Sequence, residues 1–375
     1  MKKVRYSYLR QQFSNCPELW KELKEFVKTG DFTLGKPLIK FEKRFASLIG
    51  TKYAIGVNSG TDAIKLSLKC LDIKKGDEII TAANTFVATV GAICELGAIP
   101  KFVDVDDTFC MNADLVEKKI SKKTKAIVAV HFTGYMTDMT KLSKLSKKYN
   151  IPIVEDACQS ILASINGKKA GTWSDFGAFS LHPLKNINVW SDGGIIVTSK
   201  KKYYEKLKLL RNHGLKNRDE VVITGYNSRL DTLQAVVGNW IIPKSKKIAN
   251  QRIINANYFD QKLSKIEGIK IPPRFKNFKI VYHLYIVFAK NRDQLLDYCL
   301  RKGIEAKIHY PIPIYRQKAM KFLKHKKGDF PKTDWQSKNI ISFPCDQHLT
   351  KKEIDYIIKT VERFYKIENS LRKFN

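Results

Sequence analysis

A single lysine, Lys185, lies between a histidine–proline step and a pair of glycines in the segment SLHPLKNINVWSDGGIIVTS, residues 180–199. The apolar run AFSLH precedes it and the β-rich run GGIIVTS follows, so we expect a largely buried loop between two strands. Burial lowers the pKa of an amine, and an unprotonated lysine is a usable nucleophile. The chain contains 68 lysine and arginine residues, so the ordinary alternative for Lys185 is a solvated surface charge.

A second candidate is the turn NSGTDAIKL, residues 58–66, where a short apolar strand gives way to an amphipathic helix. Gly60 allows a sharp turn, and Thr61 and Asp62 then open a helix whose first backbone N–H groups lack partners. Such donors, together with the helix dipole, favour a bound phosphate. The alternative is an ordinary capped helix with Ser59 or Thr61 as the cap.

A third candidate is a pair of carboxylates, Glu155 and Asp156, at the carboxyl end of the apolar strand in IPIVEDACQS, residues 151–160. Open α/β sheets bind their ligands at this edge. A carboxylate there can pair with a cationic ring nitrogen, although it can also be a capping or turn residue. The phosphate-binding turn, the strand-end aspartate and the lysine after a strand match the three contacts of pyridoxal phosphate (PLP), so the sequence predicts PLP as the cofactor.

The elements that position these residues alternate between strand and helix. Strand-like runs DEIITAA, KFVDVD, AIVAVHF and IPIVEDA are separated by helical segments around TVGAICELG and LSKLSKKYN. This alternation predicts an α/β fold with a mostly parallel sheet covered on both faces. Residues 18–50 are predicted to form helices on either side of the turn TGDFTLGKP, and a long helical region is predicted from near Arg229 toward residue 265.

The pattern changes after this helical region to IKIPP, the alternating strand YHLYIVFA, the helix RDQLLDYCLRKG, the strand IEAKIHYP and a last helix from Lys351. We therefore predict a large PLP-binding domain with an N-terminal segment over residues 1–245. A smaller α+β C-terminal domain is predicted over residues 246–375.

Nearly the whole chain, from GDFTLGKPLIKFEKRFASLIG to HYPIPIY and FPCDQHLTKKEI, resembles the DegT/DnrJ/EryC1/StrS sugar aminotransferase family of fold-type I PLP enzymes. The segments NSGTDAI, NTFVAT, VEDACQS, FSLHPLKN and GYNSRLDTLQA follow in the family's order. The resemblance implies a role for each: Gly60 and Thr61 in the phosphate turn, Phe86 stacked on the cofactor ring, Asp156 at the ring nitrogen, Gln159 at the ring hydroxyl, Ser180 at the phosphate, Lys185 as the Schiff-base lysine, and Asn227 reaching the phosphate of the second subunit. The loop after the lysine departs from the family pattern, because Ser191 of WSDGG stands where the family often has the first glycine of Gly-Glu-Gly-Gly or Gly-Asp-Gly-Gly.

This resemblance implies a homodimeric transaminase with shared active sites that moves an amino group from L-glutamate to a keto or aldehydo sugar. The product would serve cell-surface polysaccharide or lipopolysaccharide biosynthesis. Most relatives act on nucleotide-linked keto-deoxyhexoses, and YNSRLD and the DGG loop are similar to the group that uses 3-keto sugars. The opening YSYLRQQF is similar to a branch that acts on a free acidic sugar such as 8-oxo-3-deoxy-octulosonate. Candidate substrate contacts are His182, Arg229, His309 and Tyr310, each of which has an ordinary core or surface alternative.

Composition limits the remaining function classes. The formal charge of +32 is spread along the chain without a nucleic-acid-binding signature, so we expect neither nucleic-acid binding nor a membrane partner. The seven cysteines are isolated, which predicts reduced thiols and no metal site. The N-terminus lacks the apolar core of a signal peptide, so we expect a cytoplasmic protein. A basic nucleic-acid binder and a non-catalytic PLP-fold protein remain as alternatives, although the latter would be expected to lose the lysine or the aspartate.

Overall fold

The computed structural model describes residues 3–372. Within this range the helices are α1 Leu9–Phe13, α2 Pro17–Thr29, α3 Lys36–Ile49, α4 Gly60–Cys70, α5 Val87–Glu95, α6 Met139–Tyr149, α7 Lys201–Leu210, α8 Thr232–Ile241, α9 Ser245–Leu263, α10 Arg292–Arg301, α11 Pro331–Asn339 and α12 Lys351–Arg372. The strands are β1 Tyr53–Val57, β2 Glu78–Ala82, β3 Ile99–Val103, β4 Thr124–Val130, β5 Ile153–Asp156, β6 Ser164–Ile165, β7 Lys168–Lys169, β8 Phe176–Ser180, β9 Gly194–Thr198, β10 Ile269–Lys270, β11 Phe278–Lys279, β12 Tyr285–Ala289 and β13 Ile340–Phe343.

The main sheet has seven strands in the order β1-β9-β8-β5-β4-β2-β3. Strands β3, β2, β4, β5 and β8 pair in parallel, and β9 runs antiparallel to both β1 and β8. The predicted α/β fold with a mostly parallel sheet is therefore confirmed. Strands β5 and β8 are neighbours whose carboxyl ends lie side by side, with Asp156 opposite Ala178, so the loops that follow these two strands meet.

The strands are apolar because both faces of the sheet are covered. Successive side chains of a strand point to opposite faces, and those of β9 alternate accordingly. Ile195 and Val197 pack in the larger core together with α3, whereas Ile196 packs in the second core together with α4. Strands buried on both faces read as continuous hydrophobic runs, as the sequence of β4 does.

The chain after α8 forms a second, three-stranded antiparallel sheet in the order β10-β12-β13. The predicted long helical region consists of two helices, α8 and α9, joined by a 3₁₀ turn at Ile242–Lys244 that contains Pro243. A small sheet of β11, β6 and β7 connects this part of the chain to the segment that precedes β8.

One predicted strand is wrong. Among residues 3–372, the segment IEAKIHYP makes two isolated bridges, Ile304 with Val4 and Lys307 with Ser342. The two bridges lead to different partners, so no continuous ladder forms.

None of the helices within residues 3–372 has the length and apolarity needed to cross a lipid bilayer.

Candidate active site

A cavity of about 350 Å³ lies at the carboxyl ends of β5 and β8, between the main sheet and the C-terminal part of the chain. It brings together ten of the twelve predicted site residues, which are far apart in the sequence. These ten are Gly60, Thr61, Phe86, Asp156, Gln159, Ser180, His182, Lys185, His309 and Tyr310. The other two predicted residues, Asn227 and Arg229, do not line the cavity of their own chain.

Lys185 lies in the loop that joins β8 to β9, as predicted. Its backbone N–H donates to the His182 carbonyl over 2.8 Å, and its own carbonyl accepts from the Asn188 side chain over 3.1 Å. The side-chain amide of the buried Asn186 donates to the Val281 carbonyl over 2.9 Å. These bonds fix the loop on both sides of the lysine. Burial lowers the pKa of the Lys185 amine, and the nearby Cys158 and Asp156 oppose this shift only in part.

Asp156 ends β5 with its carboxylate directed into the cavity region. Its Oδ2 accepts a hydrogen bond from the Thr89 hydroxyl over 2.6 Å, and Thr89 in turn lies 2.8 Å from the Thr85 hydroxyl. Its Oδ1 accepts from the Cys158 backbone N–H over 3.2 Å. Thr89, Thr85 and Asp156 are all buried. The carboxylate is therefore held in one orientation by donors on two sides.

The neighbouring Glu155 points to the other face of the strand and has a structural role. It accepts from the backbone N–H groups of Gly171 and Trp173, each over 2.8 Å, and from the Ser174 hydroxyl over 2.9 Å. His131 Nε2 lies 3.0 Å from Glu155 Oε2. Both carboxylate oxygens are thus occupied by protein donors. Of the two strand-end carboxylates identified in the sequence, Asp156 lines the cavity and Glu155 does not.

The turn at Gly60 is a capped helix start that also lines the cavity. Ser59 caps α4, because its hydroxyl accepts from the Asp62 backbone N–H over 3.0 Å. A Cβ at Gly60 would lie 2.7 Å from Ser180 Cβ and 3.0 Å from Cys158 Sγ, so no larger residue fits there without displacement. Gly194 approaches the same turn, since a Cβ at this position would lie 2.1 Å from the Ser59 carbonyl oxygen. Gly194 of WSDGG is therefore required by close packing.

These residues fit PLP. The start of α4 and the hydroxyl groups of Thr61 and Ser180 offer donors to a phosphate. Asp156 offers a carboxylate to a cationic ring nitrogen, and Lys185 offers an amine of lowered pKa to an aldehyde. The region around Gly60 is a cradle that a side chain at this position would fill.

The opposite wall of the cavity carries rings and imidazoles. Phe86 is half exposed, and its ring centroid lies 6.0 Å from that of Tyr310. His309 Nδ1 is 2.8 Å from the Ser342 hydroxyl, and burial, aided by Lys307 and Lys185, lowers the pKa of His309 to about 4. Gln159 Oε1 accepts from the Thr133 backbone N–H over 2.8 Å. His309 is therefore neutral at physiological pH and adds no charge to this wall.

Two residues of the site were missed in the sequence. Thr89 is the last residue of the NTFVAT segment, in which only the aromatic residue received a role. His283 stands two residues before β12 and lines the cavity, and its Nδ1 has no hydrogen-bond partner within residues 3–372. Burial and the cations Lys185 and Arg252 hold the pKa of His283 well below its usual value. The only signal for His283 in the sequence was a histidine ahead of an apolar strand, which is common in cores.

Asn227 and Arg229 lie next to the start of α4, outside the lining of the cavity. Asn227 is exposed and forms an isolated bridge with Asn212, whose side chain accepts from Arg229 over 3.0 Å. Ser228, between them, donates to Asp62 Oδ2 over 2.6 Å. This segment is therefore fixed against the first turn of α4. The predicted role of Asn227 in the second subunit stays a prediction. Within the described part of the chain, no three His, Cys, Asp or Glu side chains are grouped as a metal site.

The chain matches the model of the DegT/DnrJ/EryC1/StrS aminotransferase family over residues 15–362. It is 33% identical over 362 residues to "Pleiotropic regulatory protein" of Geobacillus stearothermophilus, covering 96% of this chain and 97% of the relative. It is 34% identical over 348 residues to "dTDP-3-amino-3,6-dideoxy-alpha-D-galactopyranose transaminase" of Aneurinibacillus thermoaerophilus, covering 92% and 95%. It is also 34% identical over 340 residues to "UDP-N-acetyl-3-dehydro-alpha-D-glucosamine 3-aminotranferase" of Acidithiobacillus ferrooxidans, covering 90% and 91%.

Solved structures agree with these sequence matches. The structure of DesV from S. venezuelae, described as a complex with a ketimine intermediate, superposes with a TM-score of 0.95 at 31% identity and covers 97% of this chain and 99% of DesV. NtdA from Bacillus subtilis, with bound cofactor PMP, superposes with a TM-score of 0.92 at 28% identity and covers 98% and 86%. The chain belongs to the DegT/DnrJ/EryC1/StrS aminotransferase family, and the protein is a PLP-dependent aminotransferase of that family.

Proposed function

We propose that the protein transfers an amino group from L-glutamate to a nucleotide-linked 3-keto sugar. The observation that carries this proposal is the convergence of Lys185, Asp156 and the Gly60 turn on one cavity of about 350 Å³. The relatives support the sugar class, since their printed names specify transaminases or aminotransferases of dTDP- and UDP-linked sugars at position 3.

Lys185 is proposed as the covalent anchor of the cofactor and as the group that moves the proton. When bound, PLP supplies an electron sink for the electron pair released as a proton leaves the substrate carbon. Because burial lowers the pKa of Lys185, its Nζ loses a proton more readily than that of a solvated lysine, so this atom can accept the substrate proton and return it. Asp156, held by Thr89 and the Cys158 N–H, is proposed to keep the ring nitrogen protonated.

The residues around the cavity favour a sugar with neutral hydroxyl groups at the reacting end. His309 stays neutral above about pH 4 and can exchange hydrogen bonds with hydroxyl groups, and His283 offers a ring nitrogen without a protein partner. None of the arginines that the structure describes lines this cavity. The carboxylates of L-glutamate and of a free acidic sugar such as 8-oxo-3-deoxy-octulosonate would both need cations other than Lys185. The acidic sugar is the less favoured alternative because the printed names of the relatives specify nucleotide-linked sugars.

We further propose a homodimer in which each active site contains residues of both chains. Asn227 and Arg229 are fixed beside the phosphate turn through Ser228 and Asp62, yet they do not enter the cavity of their own chain. A two-fold contact would bring the same segment of the partner to each cavity. The product would be an amino sugar for cell-surface polysaccharide or lipopolysaccharide, made in the cytoplasm.

The test combines spectroscopy with a panel of substrates. The purified protein should absorb at about 400 nm, as expected of a PLP–lysine adduct, and L-glutamate should shift this band. Borohydride reduction should fix the cofactor on the peptide that contains Lys185, and recovery on another lysine would refute the assignment. A dTDP-linked 3-keto sugar and free 8-oxo-3-deoxy-octulosonate are then compared as amino acceptors. Faster transfer to the octulosonate would favour the acidic-sugar alternative, and salt-sensitive DNA retention without a visible band would favour a nucleic-acid binder.

A further inference from the structure

A second concave site lies away from the active-site cavity. It is a groove of about 580 Å³ formed by the second half of α3, by β7 and by the start of α9. We call it the basic groove, and its cationic residues are Lys43, Arg44, Lys169 and Lys246, with Lys279 of β11 beside them. It shares no lining residue with the active-site cavity.

The basic groove lies at the amino ends of the strands of the main sheet, and the active site lies at the carboxyl ends of strands β5 and β8. Helix α3 ends at Ile49, shortly before the amino end of β1, and β7 precedes the amino end of β8. The active-site residues Asp156 and Ser180 stand instead at the carboxyl ends of their strands. A ligand in the basic groove would therefore not contact the reacting groups.

The lining of this groove, in the part of the chain that the structure describes, contains cations and no carboxylate. Within residues 3–372 none of its five cations pairs with a carboxylate, although lysines elsewhere do, such as Lys141 with Asp114 at 2.6 Å. Lys169 Nζ donates instead to the Leu48 carbonyl over 2.6 Å, and Arg44 donates to the Asn239 carbonyl over 2.9 Å. Burial lowers the pKa of Lys169, and the like charges of Lys246 and Lys279 lower it further.

An independent observation concerns Ser245, which also lines the groove. Its side chain is 1% exposed, and its hydroxyl has no hydrogen-bond partner among the described residues. Buried polar groups are nearly always paired, so an unpaired hydroxyl beside uncompensated cations indicates a missing polar ligand. An anion would supply both an acceptor and the opposite charge.

We propose that the basic groove binds a small anion with two or more linked phosphate groups. Lysine and arginine are the usual phosphate ligands, because their charge-assisted hydrogen bonds to phosphate oxygens are strong. The volume of about 580 Å³ exceeds the needs of a single phosphate and falls within the usual range of small-molecule sites. The groove is bounded by α3, β7 and the start of α9, and its four lining cations lie within one concavity, which favours a compact ligand over the extended backbone of a nucleic acid. The phosphates could belong to free pyrophosphate or to a nucleotide.

The experiment uses the full-length, PLP-loaded protein and inorganic pyrophosphate in isothermal titration calorimetry. The variant Lys169→Gln/Lys246→Gln should weaken pyrophosphate binding by about tenfold or more, because two charge-assisted contacts are lost. The matched control Lys122→Gln/Lys327→Gln removes the same charge from exposed lysines outside the groove and should leave the affinity unchanged. Equal weakening in both variants, or no binding to the parent protein in low salt, would refute the proposal.

Further arms separate the ligand sources and the effects of folding. ADP that competes with pyrophosphate on the PLP-loaded protein indicates a site open to nucleotides, whereas pyrophosphate binding without ADP competition indicates a site for the free anion. A single-stranded RNA that binds and is not displaced by pyrophosphate would overturn the small-anion assignment. Lys169→Arg keeps the charge and should retain binding even where Lys169→Gln folds poorly.

As a second readout, Lys169 should react with acetic anhydride at lower pH than Lys122, and pyrophosphate should protect it. Equal reactivity of Lys169 with and without bound pyrophosphate would contradict contact at this residue.

Discussion

Thr89→Val is the substitution that tests the geometry of the active site most directly. The Thr89 hydroxyl donates to Asp156 Oδ2 over 2.6 Å in a buried setting, and valine has nearly the same shape without the hydroxyl. A hydrogen bond to a charged group contributes about 1.5–3 kcal/mol. If this energy orients Asp156 only in the transition state, the half-reaction with L-glutamate should slow by about 10- to 150-fold.

The assay is a stopped-flow measurement of the visible band of the cofactor after mixing with L-glutamate. Thr89→Ser is the matched control, because it keeps the hydroxyl and removes only a methyl group. The serine variant should recover most of the rate lost in the valine variant. Both variants are compared well below their melting temperatures, since an unpaired oxygen of Asp156 also lowers stability. A valine variant as fast as the parent enzyme would show that Thr89 does not position Asp156.

Three further changes test the cofactor turn, the assembly and the pH dependence. Gly60→Ala should weaken PLP retention by about tenfold, because the new Cβ would lie 2.7 Å from Ser180 Cβ. Gly91→Ala is the control and should retain PLP, because its Cβ would have no atom within 4 Å. Equal PLP retention by the two variants would contradict a close-packed cofactor site at Gly60. Co-expressed Asn227→Asp and Lys185→Ala chains should regain activity in mixed dimers. If each site uses Asn227 of the other chain, one site of the mixed dimer carries both substitutions and the second site carries neither. Mixed dimers without activity would refute a shared site. The pKa of His309 is about 4 in the folded protein and about 6.5 in the unfolded chain, so the unfolded state binds more protons between these values and stability falls as pH falls through this window. The loss is at most about 3 kcal/mol, and urea titrations should show it reduced in His309→Gln; an unchanged pH slope would contradict the burial of His309.

The fold was largely predictable because its signals are local. The alternation of apolar runs and amphipathic segments predicted the parallel sheet, and GGIIVTS predicted β9 at Gly194–Thr198. The direction of β9 was not predicted, since a run buried on both faces reads the same in either orientation. The segment IEAKIHYP read as a strand because its residues alternate. A strand also needs one partner segment along its whole length, whereas this segment bridges to Val4 at Ile304 and to Ser342 at Lys307.

The candidate site was predictable where one residue type suits one chemical task. Lys185, Asp156 and Gly60 stood out because few residues supply an amine nucleophile, a strand-end carboxylate or a turn without a side chain. Thr89 and His283 did not stand out, because a threonine in a helix and a histidine near a strand have many ordinary roles. Glu155 and Asp156 looked equivalent as neighbours in the sequence. Their roles differ because successive side chains of a strand point to opposite faces, one toward the loop at Gly171 and one toward the cavity.

The sequence by itself determined the alternating elements, the residue types that the reaction needs and the resemblance to the aminotransferase family. The tertiary structure decided which of those residues meet. Asp156 and Lys185 share a cavity because β5 and β8 are parallel neighbours in the sheet. Gly60 joins them because the start of α4 packs against Ser180 and Cys158. It also decided the pKa of Lys185 and His309, because the loss of water around an ionisable group depends on atoms distant in the chain. The charge of the basic groove has the same origin: the lysines are spread along the sequence, and folding brings Lys43, Lys169 and Lys246 together in a lining that has no carboxylate among the described residues.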